Sequence, residues 1–151
     1  MDNNIETSRL IKRHLEEQRF AVLATQSDSQ PYTSLIAFAE ADNLQSLLFV
    51  TSRDTRKYAN TLTIKKVAVL IDNRKNQISD LNNAVAITAL GIVEEVTADY
   101  KSDLARIYLL KHPQLKDFLY KPLNALLKVK ITEYIVATFE GVRRVPIGDI
   151  K

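Results

Sequence analysis

The chain contains no cysteine, no tryptophan, three glycines and two histidines. Without cysteine there can be no disulfide, no thiol nucleophile and no thiolate-held metal, and the composition suits a reducing compartment. Gly91, Gly141 and Gly148 stand too far apart to form a glycine-rich loop around a nucleotide phosphate. His14 and His112 do not follow a His-Glu-x-x-His spacing, and two isolated histidines need carboxylate help to complete a tetrahedral zinc site. His14 reads as part of an apolar helix face. His112 precedes a proline at a helix end, where a cation complements the dipole. Structural roles are expected for both. No serine resembles a nucleophile elbow. Glu94 and Glu95 are adjacent, so on a strand their side chains point to opposite faces, which suits solvated strand-end charge better than an acid–base pair. No basic n-region with a following apolar segment marks a secretory signal. The longest apolar stretch, around Ala84 to Val93, is too short for a bilayer and contains Thr88. A cytoplasmic location without a membrane partner is expected.

What is present is an ordinary soluble composition. With 151 residues, 46% hydrophobic and 26% charged, the chain can form one domain with a real core. No repeat or linker divides it, so residues 1–151 read as a single domain. The net charge of +3 fits an anionic ligand. Lys65-Lys66, Arg74-Lys75 and Arg143-Arg144 are scattered rather than striped. They read as solvated charge, and no nucleic-acid partner is expected, although such basic pairs with aromatics such as Tyr32 could serve a single-strand-binding barrel.

Periodicity orders the elements. Ile5 to Gln18 has helical character, with Leu10, Ile11, His14 and Leu15 near one face. Phe20–Thr25, Pro31–Ala39 and Ser46–Thr51 read as strands joined by the turn segments Ser27-Asp28-Ser29-Gln30 and Ala41-Asp42-Asn43, an antiparallel meander. Asp54 or Thr55 caps a helix running to about Ile64. Lys66–Asp72 is a buried strand, 73–83 a polar loop, and Ala84–Val96 a long strand with a bulge or bend at Gly91. A helix opens at Thr97 or Asp99 and stops near His112-Pro113, Leu115–Tyr120 adds a turn, and Ala125–Val142 alternates as a last strand. Six strands with short flanking helices make an α+β fold, a mostly antiparallel barrel whose closure removes exposed edges.

The most informative segment is Thr51-Ser52-Arg53-Asp54-Thr55-Arg56-Lys57, where an apolar strand gives way to a helix. A hydroxyl, two arginines and a lysine converge on a helix N-terminus, whose exposed N–H groups and dipole favour an anion. Arginine grips phosphate as a fork and lysine acts as a point charge. Spacing alone leaves two readings open: a phosphate cradle, or a capped helix start with solvated charges. Given so few acid–base residues, any chemistry here falls to a bound cofactor, with flavin an example.

The strand Pro31-Tyr32-Thr33-Ser34-Leu35-Ile36-Ala37, the strand ending Phe49-Val50-Thr51 and the following Thr55-Arg56-Lys57 resemble the FMN-binding split-barrel proteins of the pyridoxamine 5'-phosphate oxidase-like superfamily. Val67–Asp72 and Gly91-Ile92-Val93-Glu94 follow in matching order. The resemblance implies a six-stranded split barrel and a homodimer with FMN between subunits. It implies that Val50 and Thr51 meet the flavin and ribityl chain, and that Thr55, Arg56 and Lys57 hold the phosphate. Tyr32, Thr33, Ser34, Leu35 and Ile36 would lie along the isoalloxazine, partly through backbone groups. Tyr32 and Phe49 could pack on a ring or fill the barrel. Departures are visible. Ala86 stands where pyridoxamine phosphate oxidases offer a glutamine, a lysine position falls near Ala37, and the C-terminal Trp- and Arg-Leu-rich segment has no counterpart. The resemblance therefore points to an FMN-dependent oxidoreductase acting on a small redox substrate rather than to a vitamin B6 oxidase. The alternative is a non-catalytic protein carrying flavin, deazaflavin or haem.

Overall fold

The computed structural model describes residues 3–151. Helix α1 (Asn3–Glu17) turns Ile11, His14 and Leu15 inward at helical spacing. Strands β1 (Phe20–Ser27), β2 (Gln30–Ala41) and β3 (Ser46–Ser52) then form the expected antiparallel meander. Asp28 and Ser29 both adopt positive φ, 50° and 64°, so two residues suffice to connect β1 to β2 with the twist of a type I′ hairpin.

Helix α2 (Arg56–Thr63), β4 (Lys66–Asp72), a short helix α3 (Asp80–Asn83) and β5 (Ala86–Glu95) follow, then α4 (Ala98–Lys111), α5 (Lys116–Leu119), β6 (Asn124–Thr138) and β7 (Gly141–Pro146). Two boundaries differ from expectation. The polar 73–83 stretch contains α3, whose Asp80 carboxylate accepts from the Lys75, Asn76 and Gln77 amides and so folds the loop onto the helix start. The alternating 125–142 run is not one strand. It breaks at Phe139-Glu140, the Glu140 amide donates to the Thr138 hydroxyl, and Gly141 at φ 149° starts the return strand. Alternation persists on both sides of that turn, so periodicity alone could not reveal it.

The sheet runs β3-β2-β1-β4-β5-β6-β7, and β3 also pairs with β6, closing six antiparallel strands into a barrel with β7 added outside the ring. The length of β6 makes this possible: Asn124–Lys130 pairs with β3, while Glu133–Thr138 pairs with β7. At Gly91 the β5–β6 register shifts. A side chain there would place its Cβ 2.5 Å from the Lys130 carbonyl oxygen, so the bulge requires glycine.

Inward residues of every strand, among them Leu23, Phe38, Phe49, Val69, Ile87 and Val129, fill the barrel. Phe49 therefore packs the interior. The opposite faces of β2, β3 and β6 bury Ala39, Ala41, Leu48, Val50 and Leu126 under Ala105 and Tyr108 of α4 and Leu119 of α5. The Tyr108 hydroxyl donates to the Ala37 carbonyl at 3.0 Å, tying α4 to β2. By contrast, Phe20 at the start of β1 and Leu35 in the first half of β2 stay open, 59% and 65% exposed.

Candidate functional site

Strand β3 has two unlike edges. Against β6 it is paired along its full length, Ser46 to Ser52. Against β2 it is paired only from Ser46 to Phe49, opposite Phe38–Ala41. Beyond that point the strands part, leaving the Gln30–Ala37 edge of β2 without a β3 partner. A strand sends successive backbone groups to opposite sides, so alternate residues on this edge have no strand partner, and the Ala37 carbonyl is met by Tyr108 instead. Val50, Thr51 and the start of α2 lie along the part of β3 that β2 no longer reaches.

Thr55 caps α2, rather than Asp54. Its hydroxyl oxygen accepts from the Tyr58 amide at 3.3 Å, donates to the Ser52 carbonyl at 2.8 Å and lies 2.9 Å from the Thr51 hydroxyl. Thr51 is buried, so the two hydroxyls brace the strand-to-helix turn from within. Deeper under α2, the buried Asn60 amide donates to Thr25 Oγ1 at 3.0 Å. These bonds hold the first turn of α2 at the barrel mouth.

The two arginines of the segment part company. Arg53 sends Nη1 to the carbonyls of Pro122 (3.0 Å) and Asn124 (3.2 Å), and Nη2 to Glu95 Oε2 (3.2 Å). Glu95 also accepts from the Tyr58 hydroxyl at 3.0 Å. Arg53 thus serves as a strand clasp and leaves the cradle, and Glu95 is its anchor rather than merely solvated charge. The carboxylate holds the Arg53 guanidinium more firmly protonated than usual. Arg56 is exposed, and among the described residues no carboxylate pairs with it. Its Cζ lies 5.4 Å from the centroid of the Tyr32 ring. Lys57 is half-buried beside it, without an ion pair among the described residues.

An open cleft of about 610 Å³ lies between this helix start and the β1–β2 hairpin, lined by Gln30, Tyr32, Asp54, Thr55, Arg56 and Asn60 among others. Tyr32 and Arg56 meet in it, next to the Thr55 cap. On β2, Thr33 and Leu35 are exposed, whereas Ile36 is a core side chain whose backbone faces its register partner Ala21 on β1. Ser34 is register-paired with Leu23 and turns the same way, and its hydroxyl is buried with no hydrogen-bond partner, a polar atom of the kind folded proteins seldom leave unmatched. Val50 is buried on the α4-covered face. Lys57 lies outside the cleft lining.

A second cleft of about 500 Å³ is walled by α4 and the ends of β5 and β6. Asp42, Glu94, Glu95 and Asp103 face it with the single cation Lys128, which Asp42 already pairs at 3.1 Å. Such a surface repels a phosphate, so the Arg56 cleft is the better anion site.

Neither histidine is placed for ligation. His14 Nδ1 lies 2.8 Å from the Leu10 carbonyl, and His112 Nε2 donates to the Phe38 carbonyl at 2.7 Å. Both rings are buried. Burial, aided by the neighbouring Lys111 and Arg19 charges, lowers the His112 pKa from its usual value against the opposing Phe38 bond. His112 is therefore a neutral core group, not the helix-end cation that its position before Pro113 suggests. Among the described residues no group of three or more His, Asp or Glu side chains could hold a metal, and no helix is long and apolar enough to cross a membrane.

A family model described as pyridoxamine 5'-phosphate oxidase matches residues 8–136. Solved structures with the same fold include a heme binding protein from Mycobacterium smegmatis, at TM-score 0.84 and 12% identity over 99% of this chain. The chain spans 60% of the length of that protein. A FAD-binding protein from Mesorhizobium loti has TM-score 0.64 and 16% identity, with 82% of this chain and 88% of the other covered. General Stress Protein 26 from Bacillus anthracis has TM-score 0.70 and 17% identity, with 95% and 100% covered. At these identities the likeness establishes the fold. No curated protein matches the chain.

Proposed function

Because this chain belongs to the pyridoxamine 5'-phosphate oxidase family, we propose that it is an FMN-binding flavoprotein, a homodimer with the flavin between subunits, acting as a cytoplasmic oxidoreductase on a small redox substrate. The observation that carries this reading is Arg56: an exposed guanidinium with no carboxylate partner among the described residues, beside a capped helix N-terminus and facing a cleft. A phosphomonoester supplies the charge this arrangement lacks.

The residues present fit the cofactor. Arg56 offers a fork of donors to the phosphate and Lys57 adds a point charge. Thr55, which lines the cleft and is preset by its bond to the buried Thr51, joins them at the phosphate end. The β2 edge that β3 leaves unpaired presents the backbone groups of Thr33 and Leu35 to the polar rim of the rings, and the unmatched Ser34 hydroxyl lies on that same stretch. When bound, the flavin supplies hydride and electron transfer, and the protein's part is to hold and orient it. The exposed Phe20 and Leu35 face, with Val22 and Leu70, supports a second copy as its cover. Ala86 and Ala37 offer no polar side chain where a vitamin B6 oxidase would need one, so the substrate is a different small molecule. The absence of cysteine suits a reducing cytoplasm.

Titration of the purified protein with FMN, followed by flavin fluorescence and the visible band, tests the reading. Saturable quenching at micromolar FMN supports it. An unchanged spectrum and fluorescence over that range would remove its basis.

A further inference from the structure

Arg56 shares its cleft with two exposed carboxylates, Asp28 and Asp54, yet pairs with neither. It is held instead over the Tyr32 ring, 5.4 Å from Cζ to centroid, within the range where a guanidinium is attracted by an aromatic face. This contact differs in kind from an ion pair. It engages the cation through the ring's charge distribution and leaves no carboxylate competing for the N–H donors. A flexible arginine at an open cleft otherwise loses rotamer freedom on gripping an anion, and a side chain already held in place loses less. The position of Tyr32 is itself fixed: Thr25 is its register partner on β1, and the Thr25 hydroxyl is bonded to Asn60 of α2. Ring and helix start are thus joined through one small network.

We infer that Tyr32 is a positioning residue for phosphate recognition: its ring holds the Arg56 guanidinium at the cleft mouth, away from Asp28 and Asp54, and so sets the preference for a phosphorylated flavin over an unphosphorylated one. The inference rests on the flavin reading above and assigns Tyr32 to the phosphate end of the cleft instead of to the rings.

The test compares FMN with riboflavin, which has the same rings and no phosphate, by fluorescence titration of Tyr32→Leu, Tyr32→Phe and Arg56→Ala. A cation–π contact at an exposed site corresponds to about a two- to fivefold effect. Tyr32→Leu should weaken FMN by that factor and leave riboflavin unchanged. Tyr32→Phe, which keeps the ring face, should restore FMN affinity. In an Arg56→Ala background, Tyr32→Leu should add nothing further. Equal weakening of both flavins would show that Tyr32 packs on the rings and would overturn the inference while leaving flavin binding intact. An undiminished Tyr32→Leu effect without Arg56 would overturn it as well. If the parent protein held neither flavin, the flavin reading would fail and this inference with it.

Discussion

The two edges of β3 teach opposite lessons about charge. On the closed seam with β6, Arg53 is used up: its donors meet two carbonyls and a carboxylate brought from 42 to 71 residues away. On the open side, where β2 parts from β3, Arg56 lies against an aromatic ring and pairs with no carboxylate among the described residues. The two arginines stand three positions apart in the chain, and their chemistry is the same. A guanidinium at a seam completes the fold, whereas one at a gap is left with unmet hydrogen-bonding capacity. Unmet capacity beside a cleft marks a ligand site, and satisfied capacity does not.

The comparison breaks most visibly if the open side is disarmed. Arg56→Ala combined with Lys57→Ala removes two charge-assisted contacts, each worth ~1.5–3 kcal/mol, and should weaken FMN by at least about tenfold. Thermal stability should stay nearly unchanged, because neither side chain holds an ion pair in the described structure. Unaltered FMN affinity in a titration would mean the gap does not hold the phosphate.

Disarming the seam should do the reverse. Arg53→Ala loses its bonds to Pro122, Asn124 and Glu95, and because the Arg53–Glu95 pair is about a third exposed, the expected loss is only about 1 kcal/mol of unfolding free energy. Urea unfolding measures it, and FMN affinity of the folded variant should not move. Weakened FMN binding with unchanged stability would invert the roles assigned to the two arginines.

The smallest effect concerns the helix-covered side of β2, where His112 lies buried among Lys111, Arg19 and Glu40. Its folded-state pKa is below the usual 6.5 of the unfolded chain. The folded state therefore binds fewer protons than the unfolded one in this window. The contribution of a neutral His112 is fully present above about pH 6.5 and lost as pH falls through the lower folded value. Urea unfolding of the parent chain and of His112→Gln across this range should show the parent losing stability relative to the variant on acidification. A gap between them that is independent of pH would mean that His112 does not titrate with unfolding.

The three-strand meander, the Lys66–Asp72 strand and the bulge at Gly91 were legible because each rests on local rules: period-two alternation, turn residues and the cost of a side chain at a close backbone approach. The break at Phe139-Glu140 was not, since alternating residues on both sides of a hairpin read as one strand. The helix cap was narrowed to Asp54 or Thr55, and only the Thr51–Thr55–Ser52 bonding settled on Thr55. His112 has the structural role its position suggests but not the charge, because its burial against β2, distant in the chain, is not written in the residues around it.

By itself, the sequence determined which segments form most of the strands, where a helix begins after Thr51 and which cations stand near its start, because alternation, capping and charge are properties of neighbouring residues. Tertiary structure alone decided which of those cations is spent and which is left for a ligand. That choice depends on Glu95, Pro122 and Asn124 arriving at one edge of β3, and on β2 turning away from the other.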